Sequence, residues 1–372
     1  MKAPTVGQIV TLIEEIIPLS IGMAGDPLGL QCGDPAAQVK KIMYALDAGL
    51  EVVHQAVGKG VDLLVSHHPM IFEPLDHRAI TGTKGKPLVT AVKGSLSVYS
   101  VHTNLDASPV GINVELARLA GLQDTKVLSG TGSDGFKVVA FVPAGSLEKV
   151  RDAAFHAGAG HIGSYSHCSF ATRGVGTFFG EDASGPARGE AGRFEEADEF
   201  RLELIVKGDV LATVLKSIRR THPYEEPALD AYPLESAESS TGMGLVGTLE
   251  GKTSVGEIAS RLKSALKVDT ARLVGTRGRK VKTVAVCAGS GSSLLGAAVS
   301  AGAQLFITGD MKYHDARSAR DMGITVLDMG HFAPERYGLR RFASLLDSRI
   351  AQSGWRIDST FARESDPFVS LS

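Results

Sequence analysis

Short apolar runs that end in polar residues and pass into helical patterns recur at both ends of this chain. This alternation constrains the fold more than any other feature. KKIMYALD (40–47) leads into LEVVHQAVGKG, VDLLVSHHP (61–69) follows, and SLSVYSVHTNLD (95–106) leads into VGINVELARLAGL. The same order returns late in VKTVAVCAGSGSS (281–293), QLFITGD (304–310) and ITVLDMGH (324–331), with helical segments between them and a long helix through Ile350. Strands and helices in alternation, with the strands apolar, indicate an α/β architecture with a largely parallel sheet flanked by helices.

The middle of the chain reads differently. FKVVAFVPA (136–144) and EFRLELIVKG (199–208) have strand character, IGSYSHCSF (162–170) alternates like a strand, and LDAYPL (229–234) is a short one. SLEKVRDAAFHAG (146–158), with Ser146 as N-cap, and DVLATVLKSIRRTH (209–222) are helical patterns. GPARGEAGRFEEAD (185–198) reads as a polar loop. The order βαβ then βαβ suggests a ferredoxin-like α+β domain inserted at 131–239. The host domain is then formed from both chain ends, 1–130 and 240–372. The Gly/Ser-rich joints SGTGSDG and ESSTGMG, around Thr131 and Thr241, suit such an insertion.

Composition excludes several function classes. Hydrophobic residues make up 43% and charged residues 22%, and Lys+Arg 39 against Asp+Glu 41 gives a net charge of -2. No general field favours nucleic acid or an anionic membrane. The local run RGRKVK (277–282) reads as a solvated turn before a strand. The N-terminus lacks a signal-peptide core, and no apolar run reaches the roughly 20 residues of a membrane span. Cys32, Cys168 and Cys287 are odd in number and far apart, so they give neither a disulfide framework nor a zinc knuckle. The cytoplasm is the expected address.

Polar residues with metal-binding chemistry cluster just past the predicted strand ends, the edge that carries ligand sites in open α/β sheets. His67 and His68 precede Pro69, and a turn there can aim both rings into one crevice, each toward a different metal. Asp106 can bridge two cations or cap a following helix. His102 and Asn104 are its companions, as donors that orient ligands, as a proton carrier in the case of His102, or as substrate contacts. His331 and Glu335 stand four apart, on one face if helical, with Pro334 in the first turn. Metal ligands are therefore expected at His67, His68, Asp106, His331 and Glu335. Asp310, Lys312 and His314 lie at the same edge and could bind substrate phosphate or move protons, unless Asp310 only caps a helix. Ser290, in AGSGSS (288–293), sits in a loop whose N–H groups could cradle an anion. HPYEEPALDAYPL (222–234) reads as a rigid turn with a structural or interface role.

Taken in order, VDLLVSHHPMIF, SVHTNLD, AVCAGSGSS, FITGDMKYHDA and DMGHFAPE resemble the NGG-interacting-factor-three-like proteins, many of which carry the label GTP cyclohydrolase I type 2 homologue. The resemblance covers nearly the whole chain. It implies two divalent metal ions per chain on the same five residues, without selecting among Zn, Mn, Fe, Co or Ni. It also implies a PII-like or CutA-like inserted domain and self-association into a homohexamer or trimer-based ring. The chain departs from the family pattern at Gly25-Asp26-Pro27, where the family often has Trp-Asp-Asn, and at Leu245, where it often has Arg.

Two functions compete. One is a metal-dependent hydrolase acting on a nucleotide-like or other anionic small molecule, with His102 or His314 moving protons and Asn104, Ser290, Asp310 and Lys312 near the substrate. The other is a non-catalytic metal- or ligand-binding regulator that signals through the inserted domain. A purely structural scaffold is the third reading.

Overall fold

The structure, a computed structural model, describes residues 3–76, 80, 82–130, 135–181, 185, 187, 189–234 and 241–369, without the side chain of residue 209. The chain divides into two compact units, Met1–Gly132 with Ser240–Ser372, and Ser133–Ser239. Most of the two predicted joints, 131–134 and 235–240, lies outside the described residues.

The first unit holds two sheets rather than the single, largely parallel one expected. One has the order β1 (Gly29–Cys32), β4 (Ser97–Ser100), β3 (Leu63–Ser66), β2 (Lys41–Ala45) and β15 (Asp358–Phe361). Its strands pair in parallel except for β1 at the edge. The other has the order β11 (Arg272–Val274), β14 (Thr325–Asp328), β13 (Leu305–Thr308), β12 (Lys280–Val286), β10 (Gly242–Ser254) and β5 (Gln123–Gly130). Only β12, β13 and β14 are mutually parallel there; β11, β10 and β5 pair antiparallel. An apolar run reports burial on both faces. It does not report which strand lies beside it, and so one sheet could not be told from two.

Side-chain alternation sorts these strands into three layers of core. Ile42, Tyr44, Leu63 and Val65 share one cluster with Val284, Val286, Leu305 and Ile307 of the other sheet. Between them pack α1 (Val6–Ile16), α5 (Ile112–Ala120), α8 (Val255–Leu266) and α11 (Phe332–Gln352). The intervening residues Met43, Ala45 and Leu64 point the other way, onto α2 (Leu50–Gly58) and α3 (Lys86–Lys93). Ala285, Phe306 and Val326 likewise face α9 (Leu295–Ser300) and α10 (Tyr313–Asp321). Helix starts follow local chemistry where they can: Thr5 with Gln8, and Ser254 with Glu257, close reciprocal capping boxes on α1 and α8.

The second unit runs β6 (Gly135–Pro143), α6 (Leu147–His156), β7 (Ser169–Phe179), β8 (Phe194–Lys207), α7 (Leu211–Thr221) and β9 (Leu229–Pro233). Its sheet has the order β7-β8-β6-β9, with every neighbour antiparallel. Val138, Ala140, Leu202 and Leu204 pack on Val150, Ala154, Val214 and Ile218 of the two helices. Three local expectations need correction. The strand expected at 162–170 starts at Ser169, while Ile162 and Tyr165 form only an isolated bridge. The polar loop expected at 185–198 gives its last residues to β8, where Phe194–Asp198 pair with Val175–Phe179, so cross-strand pairing overrides polar composition. Ser146 stands at the N-cap position of α6 but makes no side-chain capping bond.

Among the described residues no helix is long and apolar enough to cross a membrane.

The contact between α11 and α5 depends on a missing side chain. A Cβ on Gly338 would meet Ile112 Cα at 2.8 Å and Ile112 Cβ at 2.9 Å. Alanine gains about 1 kcal/mol of helix propensity over glycine, whereas overpacking a tight core costs about 1–3 kcal/mol. Gly338→Ala should therefore lower the unfolding free energy in denaturant titrations, against the direction propensity alone predicts. An unchanged or raised midpoint would show that the two helices can separate freely.

Candidate metal centre

The parallel ladder positions the first two histidines. Past the end of β3, His67 N–H donates to Ala45 O at 3.0 Å and His68 N–H to Leu46 O at 2.8 Å, so pairing with β2 continues into the turn. The Ser66 hydroxyl closes that turn by donating to His68 O at 2.8 Å. His102 follows β4 and stands at the N-cap of α4 (Thr103–Ala107), and Asp106 lies one turn further, its N–H donating to His102 O. Asp106 is thus inside a short helix; the helix it was thought able to cap, α5, starts after Gly111. Beyond β14, Gly330 at φ 75 turns the chain so that His331 becomes the N-cap residue of α11 and Glu335 falls in its first turn.

Each imidazole is anchored through Nδ1. His67 meets Val101 O at 2.9 Å, His68 meets Asp47 Oδ1 at 2.9 Å, His102 meets Asp26 Oδ1 at 2.8 Å and His331 meets Asp310 Oδ2 at 2.8 Å. A neutral ring that donates from Nδ1 keeps its Nε2 lone pair for a ligand. The Nε2 atoms converge. His331 Nε2 is 3.3 Å from His68 Nε2, and Glu335 Oε2 lies 2.9 Å from His331 Nε2, 3.2 Å from His68 Nε2 and 3.8 Å from His67 Nε2. Asp106 Oδ1 is 3.8 Å from His67 Nε2. Ligands about 2.1 Å from one tetrahedral ion stand about 3.4 Å apart, so these spacings match a shared cation. Two groups have all their ligand atoms within 4.8 Å of one another: His67, His68 and His102, and His68, His331 and Glu335.

Three of these atoms, His67 Nε2, Asp106 Oδ1 and Glu335 Oε2, are buried without a properly directed hydrogen bond. Each such atom costs roughly 1–3 kcal/mol. They aim at a common point rather than at one another, which is poor for hydrogen bonding and right for coordination. The donor set, imidazole with carboxylate, suits divalent transition metals. On both counts the residues fit such an ion.

The charges are coupled. Burial opposes protonation of His68, but the Asp47 hydrogen bond and the adjacent Glu335 carboxylate prevail and push it up to about 10. The Glu335 carboxylate beside it, aided by Asp310, raises His331 to about 9. For His67 burial again opposes protonation, and the Asp106 and Glu335 carboxylates outweigh it. Burial dominates at Asp106 and lifts it to about 6. Burial would also raise Glu335, yet the three imidazoles around it hold it well below the usual carboxylate range. Without a cation, protons gather on the rings to balance the buried carboxylates.

Glycine and strain shape the rim. A Cβ on Gly289, which sits at φ 64, would meet Glu335 Oε1 at 2.4 Å. Asp310 takes φ 50, the left-handed region that non-glycine residues rarely adopt, while its carboxylate holds His331.

The remaining expected residues take different places. His102 stands among the ligand atoms rather than beside them. Asp310 braces His331 and is not the N-cap of α10; Lys312 holds that position and is exposed. His314 is exposed, its ring edge-on to Tyr313 at 5.3 Å, and belongs to neither ligand group. Asn104 is fully buried and donates from Nδ2 to Ile17 O at 3.0 Å, pinning the end of α1 to α4. Ser290 lines a cleft of about 880 Å³ together with Leu19, Met23, Asp26, Met243 and Cys287. The 288–293 loop uses part of its donor capacity internally, since Gly291 N–H points to Thr308 Oγ1 at 3.0 Å. The buried Cys287 thiol is pushed up by burial and by the nearby Asp106 and Glu335 carboxylates, which places the cleft beside the cluster.

Two anchors escaped sequence reasoning. Asp26 accepts from His102 Nδ1, Thr103 N–H and the Thr103 hydroxyl; burial would raise its carboxyl, and these bonds lower it. Asp47 is itself placed by Glu364, whose carboxylate accepts from Leu46 N–H at 3.0 Å and Asp47 N–H at 2.9 Å. The signal was present in part, because Asp47 ends KKIMYALD and Asp26 occupies the Gly-Asp-Pro string. Neither lies near its histidine in sequence.

A sequence model of the Duf34/NIF3 (NGG1p interacting factor 3) family matches residues 4–367. The chain is 39% identical over 327 residues to a Bacillus subtilis protein named GTP cyclohydrolase 1 type 2 homolog, covering 88% of each chain. Its fold matches a Bacillus cereus protein related to NIF3, with a TM-score of 0.77, 35% identity and 100% of both chains covered. It also matches the Staphylococcus aureus protein SA1388, with a TM-score of 0.76, 27% identity and the same coverage. On the length of the match and the identity to its relatives, this chain belongs to the Duf34/NIF3 (NGG1p interacting factor 3) family.

Proposed function

We propose that the protein holds two divalent metal ions in this cluster and acts as a metal-dependent hydrolase on a small molecule. The observation that carries this reading is the inward aim of four imidazoles, each fixed by a separate acceptor at Nδ1, around buried carboxylate oxygens that lack donors. Bound there, divalent ions supply Lewis acidity, polarising the scissile group and easing the ionisation of water near neutral pH.

The chain's own residues do the rest. Asp26, Asp47, Asp310 and Val101 O hold the rings in orientation and tautomer. Asp106 and Glu335 supply negative charge from an interior that excludes water. The adjoining cleft receives the body of the substrate. Its described lining includes Leu19, Met23, Leu28 and Met243 and holds no Lys, Arg or His. This supports a substrate whose anionic or electron-rich group faces the metal cluster while an uncharged part fills the cleft. The name borne by the relatives, GTP cyclohydrolase 1 type 2 homolog, is compatible with a nucleotide-like ring as that part. The βαββαβ order and the strand order β7-β8-β6-β9 support reading the second unit as a ferredoxin-like insertion.

Three outcomes test this proposal. Elemental analysis of the purified protein should find about two equivalents of divalent metal per chain, the number a dinuclear site takes. Hydrolase and cyclohydrolase screening should detect turnover that Glu335→Gln abolishes; equal background from both proteins would sink the catalytic reading. Asp26→Asn keeps the shape of the His102 anchor but removes its charge, and should weaken metal binding about 10–100-fold in competition with a chelator.

The pH response should change sign with metal. In the stripped protein, His68 and His331 titrate near 10 and 9 when folded, against about 6.5 when unfolded. Raised histidine values stabilise the fold below pH 6.5, and that contribution is lost as pH climbs through 9 to 10. Melting temperature of the stripped protein should therefore fall across this window. The loaded protein, in which the ion replaces those protons, should hold its melting temperature there and lose metal on acidification. Parallel falls in both forms would contradict the proposed ligand set.

A further inference from the structure

The second unit carries a cavity of its own, about 780 Å³ in volume, on a different chemistry. Strand register shows how it forms. Leu202, Leu204 and Val206 point into the helix-covered core of the unit, so the odd-numbered Glu199 points to the opposite face of the sheet. Gly176 pairs with Ala197 and Phe141 with Arg201, which puts Gly176 and Phe141 on that same open face. Glu199 is only 7% exposed, and it lines the cavity.

The Glu199 carboxylate has no hydrogen bond or ion pair with any described residue. Its carboxyl lies against the backbone of Gly176, where a Cβ would come within 2.2 Å of Oε2. His222 feels its charge but makes no hydrogen bond to it. His222 accepts from Tyr224 N–H at Nδ1, 3.1 Å away, and therefore donates from Nε2 to Phe141 O at 2.9 Å. Both ring nitrogens are engaged, and burial keeps the ring neutral. The mostly buried Glu199 side chain lines the cavity, where a ligand can supply a donor to its carboxylate.

The rest of the lining narrows the ligand. Glu181, Glu225 and Glu226 add acidity, and none of the described lining residues is Lys, Arg or His, so the described lining favours a cation over an anion. These carboxylates are not among the groups whose oxygens converge as a metal ion requires. Phe141, Phe178 and Tyr224 supply apolar walls suited to alkyl chains, and the Phe141 ring already carries the Arg201 guanidinium 5.6 Å from its centroid. Separated carboxyls along an aromatic cavity match separated ammonium groups on a flexible apolar chain.

We propose that this cavity binds a small linear polyamine, with one ammonium group on Glu199, others on the acidic rim, and the methylene chain against Phe141 and Phe178.

Titration calorimetry on the full-length, metal-loaded protein at physiological salt tests this with spermidine as the probe. Saturable binding of one spermidine per chain is expected, with Glu199→Gln and Phe178→Ala each lowering affinity at least tenfold. ATP should give no binding that either variant alters. Circular dichroism checks that the variants fold, and Phe178→Ala decides the matter if Glu199→Gln does not. Spermidine binding equal in wild type and the folded variants, or absent from wild type, would overturn the proposal. So would loss of spermidine binding in Asp106→Asn, because that would place the amine at the metal cluster.

Discussion

The hydrogen bond at Nδ1 of each histidine is the constraint on which the candidate centre depends. Imidazole rings on free rotamers would point their Nε2 atoms outward to water. Here a backbone carbonyl and three carboxylates turn them inward. The acceptors come from different parts of the chain: Asp26 precedes β1, Asp47 follows β2, Val101 follows β4 and Asp310 follows β13. Each ring is therefore aimed from within its own sheet, and the two sheets must meet to bring His331 to His68. The helices between the sheets and their shared apolar core make that possible, since they fix the distance between His67 and His68 on one sheet and His331 on the other.

Burial then gives the cluster its electrostatic character. Asp106 and Glu335 are almost fully enclosed, and each responds to its neighbours in its own way. Asp106, governed by burial, is raised; Glu335, ringed by three imidazoles, is depressed. Protons and metal ions compete for the same lone pairs. A site of this kind is stabilised by whichever cation is available. The backbone adapts to it locally, through Gly289 where Glu335 needs room and through the left-handed turn at Asp310.

The two units solve opposite charge problems. In the first, imidazoles gather around carboxylates and can hand over their protons to a metal. In the second, Glu199 is buried near a histidine whose nitrogens are already engaged, so His222 makes no hydrogen bond to its carboxylate. The contrast explains why a His/carboxylate cluster suits a metal while an acidic aromatic cavity suits an organic cation.

Much of this was legible in the chain itself. Local chemistry determines the apolar strands, the capping boxes of α1 and α8, and the placing of His67, His102, Asp310 and His331 just past strand ends, because each depends on residues a few positions apart. The pairing of strands is not local, so the division into two sheets and the true extents of β7 and β8 emerged only from tertiary contacts. The same holds for the site. Residue type and strand-end position marked five candidate ligands, but the place of His102 among the clustered donor atoms, the absence of His314 from them and the anchoring by Asp26 and Asp47 were decided by which strand ends meet. Hydrogen-bond direction between residues 21 and 76 positions apart leaves no pattern along a sequence; only the folded chain brings donor and acceptor together.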